Sequence, residues 1–320
     1  MSKYLVTGGA GFIGFHTARA LLARGEEVTI VDNFNDYYDP SLKEARIKVL
    51  EEEYPQVKVV RADITNEKKM EEVFREGKFD KVCHLAAQAG VRHSLEEPRD
   101  YERSNVLGTL NILEQCRWQG VKDLVFASSS SVYGDGNKVP YREDDRADKP
   151  ISIYAATKKA NEEMAYTYHR LFGLNVTGLR FFTVYGPWGR PDMGVFQFVE
   201  KVAEKKPIEV YNFGKMARDF TYVDDIVSGV KAALDKSFPY EIFNLARGES
   251  VNLLDYIKEV EKNFGRETEK IMKPLPAGDM EVTSADISKA KEMLGYEPKV
   301  SVGEGVKRMV EWYRGYYKKY

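Results

Sequence analysis

Apolar and polar positions along this chain fall into two alternating kinds of block. Short apolar runs recur at Tyr4–Thr7, Glu27–Asp32, Val57–Arg61, Phe79–Leu85, Asp123–Ala127 and Asn175–Phe182. Runs of that length bounded by turn residues predict buried strands. Between them lie longer stretches with apolar stripes or charged faces at helical spacing: Phe12–Ala23, Leu42–Glu53, Tyr101–Gln119 and Ile153–Phe172. Strand and helix in alternation predict an α/β chain, a Rossmann-type doubly wound parallel sheet. After Thr183 the pattern breaks into loop-like segments rich in Gly, Pro and aromatics, such as Tyr185–Met193 and Pro274–Asp279. One late apolar run, Glu241–Ala246, has the character of a strand that rejoins the sheet. Two domains are therefore expected. The first covers 1–182, with 216–247 rejoining it. The second is a smaller α/β domain over 183–320 that closes over the strand ends. The basic, aromatic tail Tyr313–Tyr320 reads as a solvated helix end.

The first strand runs into Gly8-Gly9-Ala10-Gly11-Phe12-Ile13-Gly14, and a helix follows. Glycines there permit a tight turn and let backbone N–H groups approach a pyrophosphate at the helix N-terminus. A Gly motif alone is weak, but strand before and helix after is the context it requires. Asp32 ends the second strand, about twenty residues past the turn, where a carboxylate accepts from a ribose 2′-OH. No Arg follows to hold a 2′-phosphate, so NAD is expected rather than NADP. Small residues after the fourth strand, Ala86 and Ala87, let a flat cofactor lie close.

Two further motifs carry chemistry. Ser128-Ser129-Ser130-Ser131-Val132-Tyr133-Gly134 ends the fifth strand, where a flexible linker has no place. Tyr154 and Lys158 stand four residues apart on a helix and so share a face. An ammonium beside a phenol favours the phenolate, so the Tyr is expected to act as a base below its free pKa of roughly 10. A nucleotide-binding turn, a hydroxyl cluster and a Tyr/Lys pair, in that order, point to a redox site for alcohols.

Composition narrows the classes. The 320 residues allow a large core, and 43% of them are hydrophobic. The formal net charge of -2 leaves no electrostatic footprint for nucleic acid. Cys83 and Cys116 form no C-x-x-C pair and read as buried thiols of a reducing compartment. The four histidines, His16, His84, His93 and His169, lack metal-ligand spacing, so no metal is expected. No stretch resembles a signal peptide or a membrane span, and a cytoplasmic protein is expected.

On these residues the chain resembles the extended short-chain dehydrogenase/reductases, in particular the nucleotide-sugar 4-epimerases. The likeness covers nearly the full length. Its carriers include Thr7–Gly14, Asp63-Ile64, Leu85-Ala86-Ala87, Ser128–Gly134, Tyr154/Lys158, Arg218–Asp225 and Gly278-Asp279. Asn35–Asp39, Arg180–Gly186 and Trp188–Met193 make it most similar to the UDP-glucuronate 4-epimerases. The resemblance implies NAD held by Gly8, Gly11, Phe12, Ile13, Gly14, Asp32, Asn33, Asp63, Ile64, Leu85, Ala86, Ala87, Tyr154 and Lys158. It implies Tyr154 as the base on a UDP-sugar 4-OH, Ser129 orienting it and Ser131 as a second hydroxyl. Hydride leaves C4 and returns to the other face of a transient 4-keto sugar. Thr183 and Arg190 are the implied holders of a glucuronate carboxylate, with Arg92 a weaker candidate for the same anion. Arg218 is the implied diphosphate partner, and Asp279 joins the substrate site. A homodimer through the helices Tyr101–Gln119 and Ile153–Phe172 is also implied.

Departures from related patterns prune the alternatives. Dehydratases carry an Asp-Glu pair where this chain has Ser130-Ser131, and decarboxylases a Glu at Ser131, so both lose support. Pro276 replaces an Arg found in galactose-type epimerases, and Thr283 a bulky Tyr, which loosens any claim about the sugar 2-substituent. A UDP-glucose or UDP-N-acetylglucosamine 4-epimerase stays open as the alternative. A catalytically silent NAD-binding protein is disfavoured by the intact Tyr/Lys pair and Ser cluster.

Overall fold

Alternation along the first strand decides how the sheet is buried. In β1 (Lys3–Thr7), Tyr4 and Val6 pack into one core and Leu5 into another. A period of two puts successive side chains on opposite faces, so both faces must be covered. The computed structural model of the chain describes residues 1–276 and 278–318. Ala277, Lys319 and Tyr320, parts of two segments read above, lie outside them.

Six further strands join β1: β2 (Glu27–Asp32), β3 (Lys58–Arg61), β4 (Lys81–His84), β5 (Asp123–Ser129), β6 (Asn175–Phe181) and β7 (Tyr240–Leu245). All pair in parallel, in the order β7-β6-β5-β4-β1-β2-β3. The order turns back beside β1, between β1 and β4. Such a switch point opens a crevice at the strand carboxyl ends. The late run does rejoin the sheet, as β7 along β6, from Tyr240 opposite Val176 to Leu245 opposite Phe181. The helix Val223–Asp235 packs on the sheet beside the helix Phe12–Ala23.

Beyond residue 183 the chain forms small strand pairs. Thr183–Tyr185 pairs with Phe220–Tyr222, and Ile208–Val210 with Lys270–Met272. The helices Gly194–Glu204, Leu253–Phe264 and Val302–Tyr317 pack with them. Their apolar faces are continuous with one sheet core, so Phe15 and Val199 belong to the same cluster. Among the described residues no helix is long and apolar enough to cross a membrane.

Two expectations need correction. The tail is not solvated as far as Tyr317. Tyr313 is buried, and Trp312 and Tyr316 pack on Trp188 at centroid distances of 5.3 and 5.0 Å. The helix expected over Tyr101–Gln119 is also interrupted. A π-turn spans Glu102–Leu107 before the α-helix Gly108–Gln119. Such a turn shifts the helix face by one residue. Here it carries the buried Asn105, whose side chain bonds both backbone groups of Gln88 and the Thr157 hydroxyl.

The helix Ile153–Phe172 presents Tyr154 and Lys158, and two features fix it. Ser152 caps its start, accepting from Ala155 N at 3.1 Å. Two turns along, Glu162 is buried and ties three elements together. It accepts from Ser128 at the end of β5 (2.6 Å) and from two nitrogens of Arg180 in β6 (2.8 and 2.9 Å). Burial pushes the Glu162 carboxyl up, but the Arg180 guanidinium and Ser128 hydroxyl outweigh it and hold it below the usual carboxylate range.

Ser152→Ala should destabilise the protein by about 1 kcal/mol, the usual cost of a lost N-cap. Thermal unfolding reads it, and an unchanged melting temperature would remove the cap from the account. A carboxyl depressed in the folded state contributes stability that is complete above its unfolded pKa of about 4.3 and lost as the pH falls through the folded value. Glu162→Gln should therefore show a shallower loss of stability than wild type between about pH 5 and pH 3. At neutral pH it should cost about 3–5 kcal/mol, because the Arg180 charge stays buried without its partner. Urea titrations across that range measure both, and equal pH slopes would contradict the assigned shift.

Candidate active site

The crevice at the switch point is a cleft walled by the ends of β1 to β6. The first wall is the Gly turn. Gly8 sits at φ +69, and a Cβ on it would lie 2.7 Å from Ala86 N. A Cβ on Gly14 would lie 2.1 Å from Gly8 O. The turn therefore closes onto the β4 loop with room for hydrogen only. The helix that follows starts at Phe12 with Gly11 as N-cap and no side-chain cap. Its first N–H groups face the cleft and suit an anion such as a diphosphate. Asp32, buried at the end of β2, accepts from Ala10 N (3.1 Å) and Phe34 N (2.9 Å). It joins the turn to the position where a ribose hydroxyl would bind. The residues present thus fit an NAD-type dinucleotide.

Every residue that the resemblance assigns to the cofactor lines this one cleft: Gly8, Gly11, Phe12, Ile13, Gly14, Asp32, Asn33, Asp63, Ile64, Leu85, Ala86, Ala87, Tyr154 and Lys158. Asn33 donates to Asp63 at 3.0 Å, which links the β2 and β3 ends. Behind the β4 loop His84 lies between Thr7 (2.7 Å) and Thr109 (3.0 Å). Burial and the Lys158 charge lower its pKa to about 3, so it stays neutral.

The reactive groups stand at the other end. The Ser131 hydroxyl donates to the Ser129 hydroxyl at 3.0 Å, and Ser129 lines the cleft with Tyr154 while Ser131 stands behind it. The expected ammonium–phenol contact is not made. Lys158 is buried, and its Nζ donates to Ala127 O at 2.8 Å. Burial lowers its pKa to about 8. The Tyr154 phenol is raised above its ordinary value rather than lowered, because burial outweighs the Ser129 hydroxyl and the Arg190 guanidinium. The Lys158 side chain is drawn toward β5, and the Arg190 guanidinium lowers the phenol in part.

The substrate-side residues divide. Arg190 lines the cleft, but its Nε and Nη2 already bind Asp192, at 3.0 and 2.5 Å. Burial pulls the guanidinium down and Asp192 overrides it, so the charge is secure. Tyr37 reaches the same carboxylate at 3.3 Å. Thr183 lies between the lining residues Phe182 and Val184 without lining the cleft itself. Arg92, Arg218 and Asp279 form a separate group. Arg218 meets Asp279 at 2.8 Å and Arg92 meets it at 3.3 Å, with the Arg92 guanidinium 4.3 Å from the Tyr211 ring centre. Arg92 therefore stands with Arg218 rather than with Arg190. Asp224 and Asp225, the acids that follow Arg218 in the same motif, serve elsewhere. Asp225 accepts from Lys299 N and Val300 N, and Asp224 lies 3.8 Å from Arg308.

Several residues of the site carry no motif. Asn105, Gln88 and Glu162 look ordinary in sequence. The available signal was polarity at positions inside apolar-periodic segments, as for Asn105 and Glu162.

The geometry sets a cleft that fits a dinucleotide against Tyr154, Ser129 and Arg190. A sequence model of the NAD dependent epimerase/dehydratase family matches residues 4–246. The chain is 47% identical to a UDP-glucuronate 4-epimerase of Thermodesulfobacterium geofontis, over 98% of this chain and 96% of that one. Its structure is similar to the UDP-glucuronic acid 4-epimerase of Bacillus cereus solved with UDP-glucuronic acid and NAD. The TM-score is 0.92 at 35% identity, covering 98% of this chain and 100% of that one. A UDP-glucose 4-epimerase of Thermotoga maritima, solved with UDP-glucose, matches with TM-score 0.90 at 34% identity, covering 98% and 99%. Sequence, cleft and relatives converge, and the chain belongs to the NAD dependent epimerase/dehydratase family.

Proposed function

We propose that this protein interconverts UDP-glucuronate and UDP-galacturonate at C4, with NAD retained in the cleft. The observation that carries the sugar is Arg190, a half-buried guanidinium that lines the cleft together with Tyr154. Relatives named for the same reaction support the reading. When bound, NAD supplies the hydride acceptor and donor, and its positive ring favours the phenolate. The chain's own residues do the rest. Tyr154 takes and returns the 4-OH proton, with Ser129 holding the hydroxyl and Ser131 supporting Ser129. Lys158, anchored on Ala127 O, is positioned for the nicotinamide ribose. Arg218, with Arg92 beside it, takes the diphosphate end, Asp279 fixes the two guanidinium groups, and the segments after residue 183 form the substrate-binding side.

Glucuronate oxidised at C4 is a β-keto acid, and such acids lose carbon dioxide when the carboxylate bond aligns with the carbonyl π system. A cation that holds the carboxylate out of that alignment slows the loss. Thr183 and Arg190 are assigned that role. With Nε and Nη2 given to Asp192, Nη1 is the nitrogen left for the substrate. The same pair favours a second reading. A guanidinium already neutralised by Asp192 does not demand an anionic sugar, which suits UDP-glucose or UDP-N-acetylglucosamine.

Exposed apolar side chains gather on two neighbouring helices. They include Trp118, 66% exposed, and Leu171, 67% exposed, with Arg117 stacked on Trp118 and Phe172. A patch of that kind supports a homodimer through this face. Two buried free thiols, Cys83 and Cys116, fit a cytoplasmic setting.

A panel of UDP-sugars with product identification by NMR separates the readings. Wild type should convert UDP-glucuronate and leave UDP-glucose almost untouched. Tyr154→Phe should lose at least about a hundredfold in rate while binding the sugar nucleotide normally. Arg190→Ala should lose roughly 10- to 150-fold in kcat/KM for UDP-glucuronate, the worth of a charge-assisted hydrogen bond, and release more decarboxylated pentose per turnover. Equal use of both sugars by wild type, with an equal effect of Arg190→Ala, would establish the second reading instead. Sedimentation should show a particle of two chains, converted to one by Leu171→Glu; a single-chain wild type would reject the dimer.

A further inference from the structure

The loop that carries Arg190 is held from beneath by a charge that the proposed chemistry does not use. Arg46, in the helix Ser41–Glu53, is completely buried. Among the described residues its guanidinium makes hydrogen bonds to carbonyls and a hydroxyl and no ion pair. Nη1 donates to Ala10 O of the Gly turn (2.8 Å) and to the Tyr38 hydroxyl (2.8 Å). Nη2 donates to Trp188 O (2.7 Å) and Gly189 O (3.2 Å), two residues and one residue before Arg190. Among the described residues Nε has no hydrogen-bond partner. A buried cation without an acid is a poor way to stabilise a core, which apolar residues do better. Its form suggests another purpose. Only a planar fork reaches two turns of backbone at once, and Lys has one nitrogen where Arg has three.

The neighbouring contacts work in the same sense. His16, in the helix after the Gly turn, bonds Pro187 O at 2.9 Å through Nε2. Burial lowers its pKa to about 4, so it is neutral there. Trp188 is held at φ +61, a conformation that side chains rarely adopt without support. Its ring packs on Phe15 at 5.5 Å and on Trp312 at 5.3 Å. Tyr37, next to the Tyr38 that Arg46 holds, reaches Asp192, the partner of Arg190.

We propose that Arg46 is a positioning residue that locks the Arg190 loop to the nucleotide turn. It sets where Arg190 meets the sugar carboxylate relative to Tyr154, and the carboxylate part of this rests on the uronic-acid reading above. Carboxylate recognition is thereby registered to the backbone that holds the cofactor, not to the outer segments of the chain.

The test uses the full chain with its NAD, as Arg46→Met and Arg46→Lys. Hydrogen exchange at the amides of residues 188–193 reads the loop without any substrate. Calorimetric titration with UDP-glucuronate and with UDP reads the carboxylate site against a ligand that lacks it. NAD content after purification reads the turn. In Arg46→Met, exchange at 188–193 should quicken and kcat/KM for UDP-glucuronate should fall by up to about 100-fold, the scale of a small misplacement. UDP affinity and NAD content should change little, and Arg46→Lys should lie between. Unaltered exchange at 188–193 overturns the proposal. So does an equal loss for UDP and UDP-glucuronate, which marks a general structural role. If Arg46→Met does not fold, the same readings on Arg46→Lys decide. Quickened exchange with the affinity for both UDP and UDP-glucuronate unchanged keeps the loop lock and rejects its link to the carboxylate. A wild type that ignores UDP-glucuronate rejects the uronic-acid reading, while the exchange result still judges the lock.

Discussion

The turn from Gly8 to Gly14 has no room for one more carbon, and much of the molecule is arranged around that fact. Gly8 closes on Ala86 and Gly14 on Gly8 O. This brings the β1 and β4 loops to one crevice and exposes an uncapped helix start toward it. Asp32 bonds the turn from β2, and Arg46 bonds it from the next helix. Because the packing is van der Waals contact against backbone, a side chain there cannot be absorbed by a small shift.

A second constraint is the handling of charge at low dielectric. Glu162 with Arg180, Arg190 with Asp192, and Arg218 with Asp279 are paired within reach of the cleft. A charge held away from water and then left without its partner costs about 3–5 kcal/mol, so each is kept with a counter-charge. Glu162 uses this to hold the reactive helix against β5 and β6, with Ser128 as the third partner. The Ser129 hydroxyl and the Tyr154 phenol thus share one rigid support. Arg190 has a different balance. Its pairing secures its charge but reduces what a substrate anion feels, so the loop geometry around Asp192 becomes a determinant of sugar choice.

The Tyr154/Lys158 pair shows how a correct local inference meets its environment. Spacing on a helix does place both on one face. The Lys158 chain is long enough, however, to reach the Ala127 carbonyl in β5, and a buried ammonium takes that acceptor. The phenol is left with burial as its largest influence. Its activation then depends on what is brought into the cleft and on Arg190, rather than on the helix alone.

Local pattern determined the sheet strands, most helices, the late return of β7, and the Gly turn with Asp32. Each of these depends on periodicity or on spacing within a short segment, and such physics is local. The tertiary structure decided what needs distant partners. It decided the π-turn at Asn105, which exists because Gln88 and Thr157 are there to be bonded. It decided the burial of Tyr313 beneath the late helices, the Asp192 partner of Arg190, and the move of Arg92 to the Arg218 group. It also decided Arg46, one charged residue in a charged helix by sequence, whose four acceptors come from three loops far apart in the chain. A donor's partners are set by where the backbone turns meet, and no window along the sequence contains that.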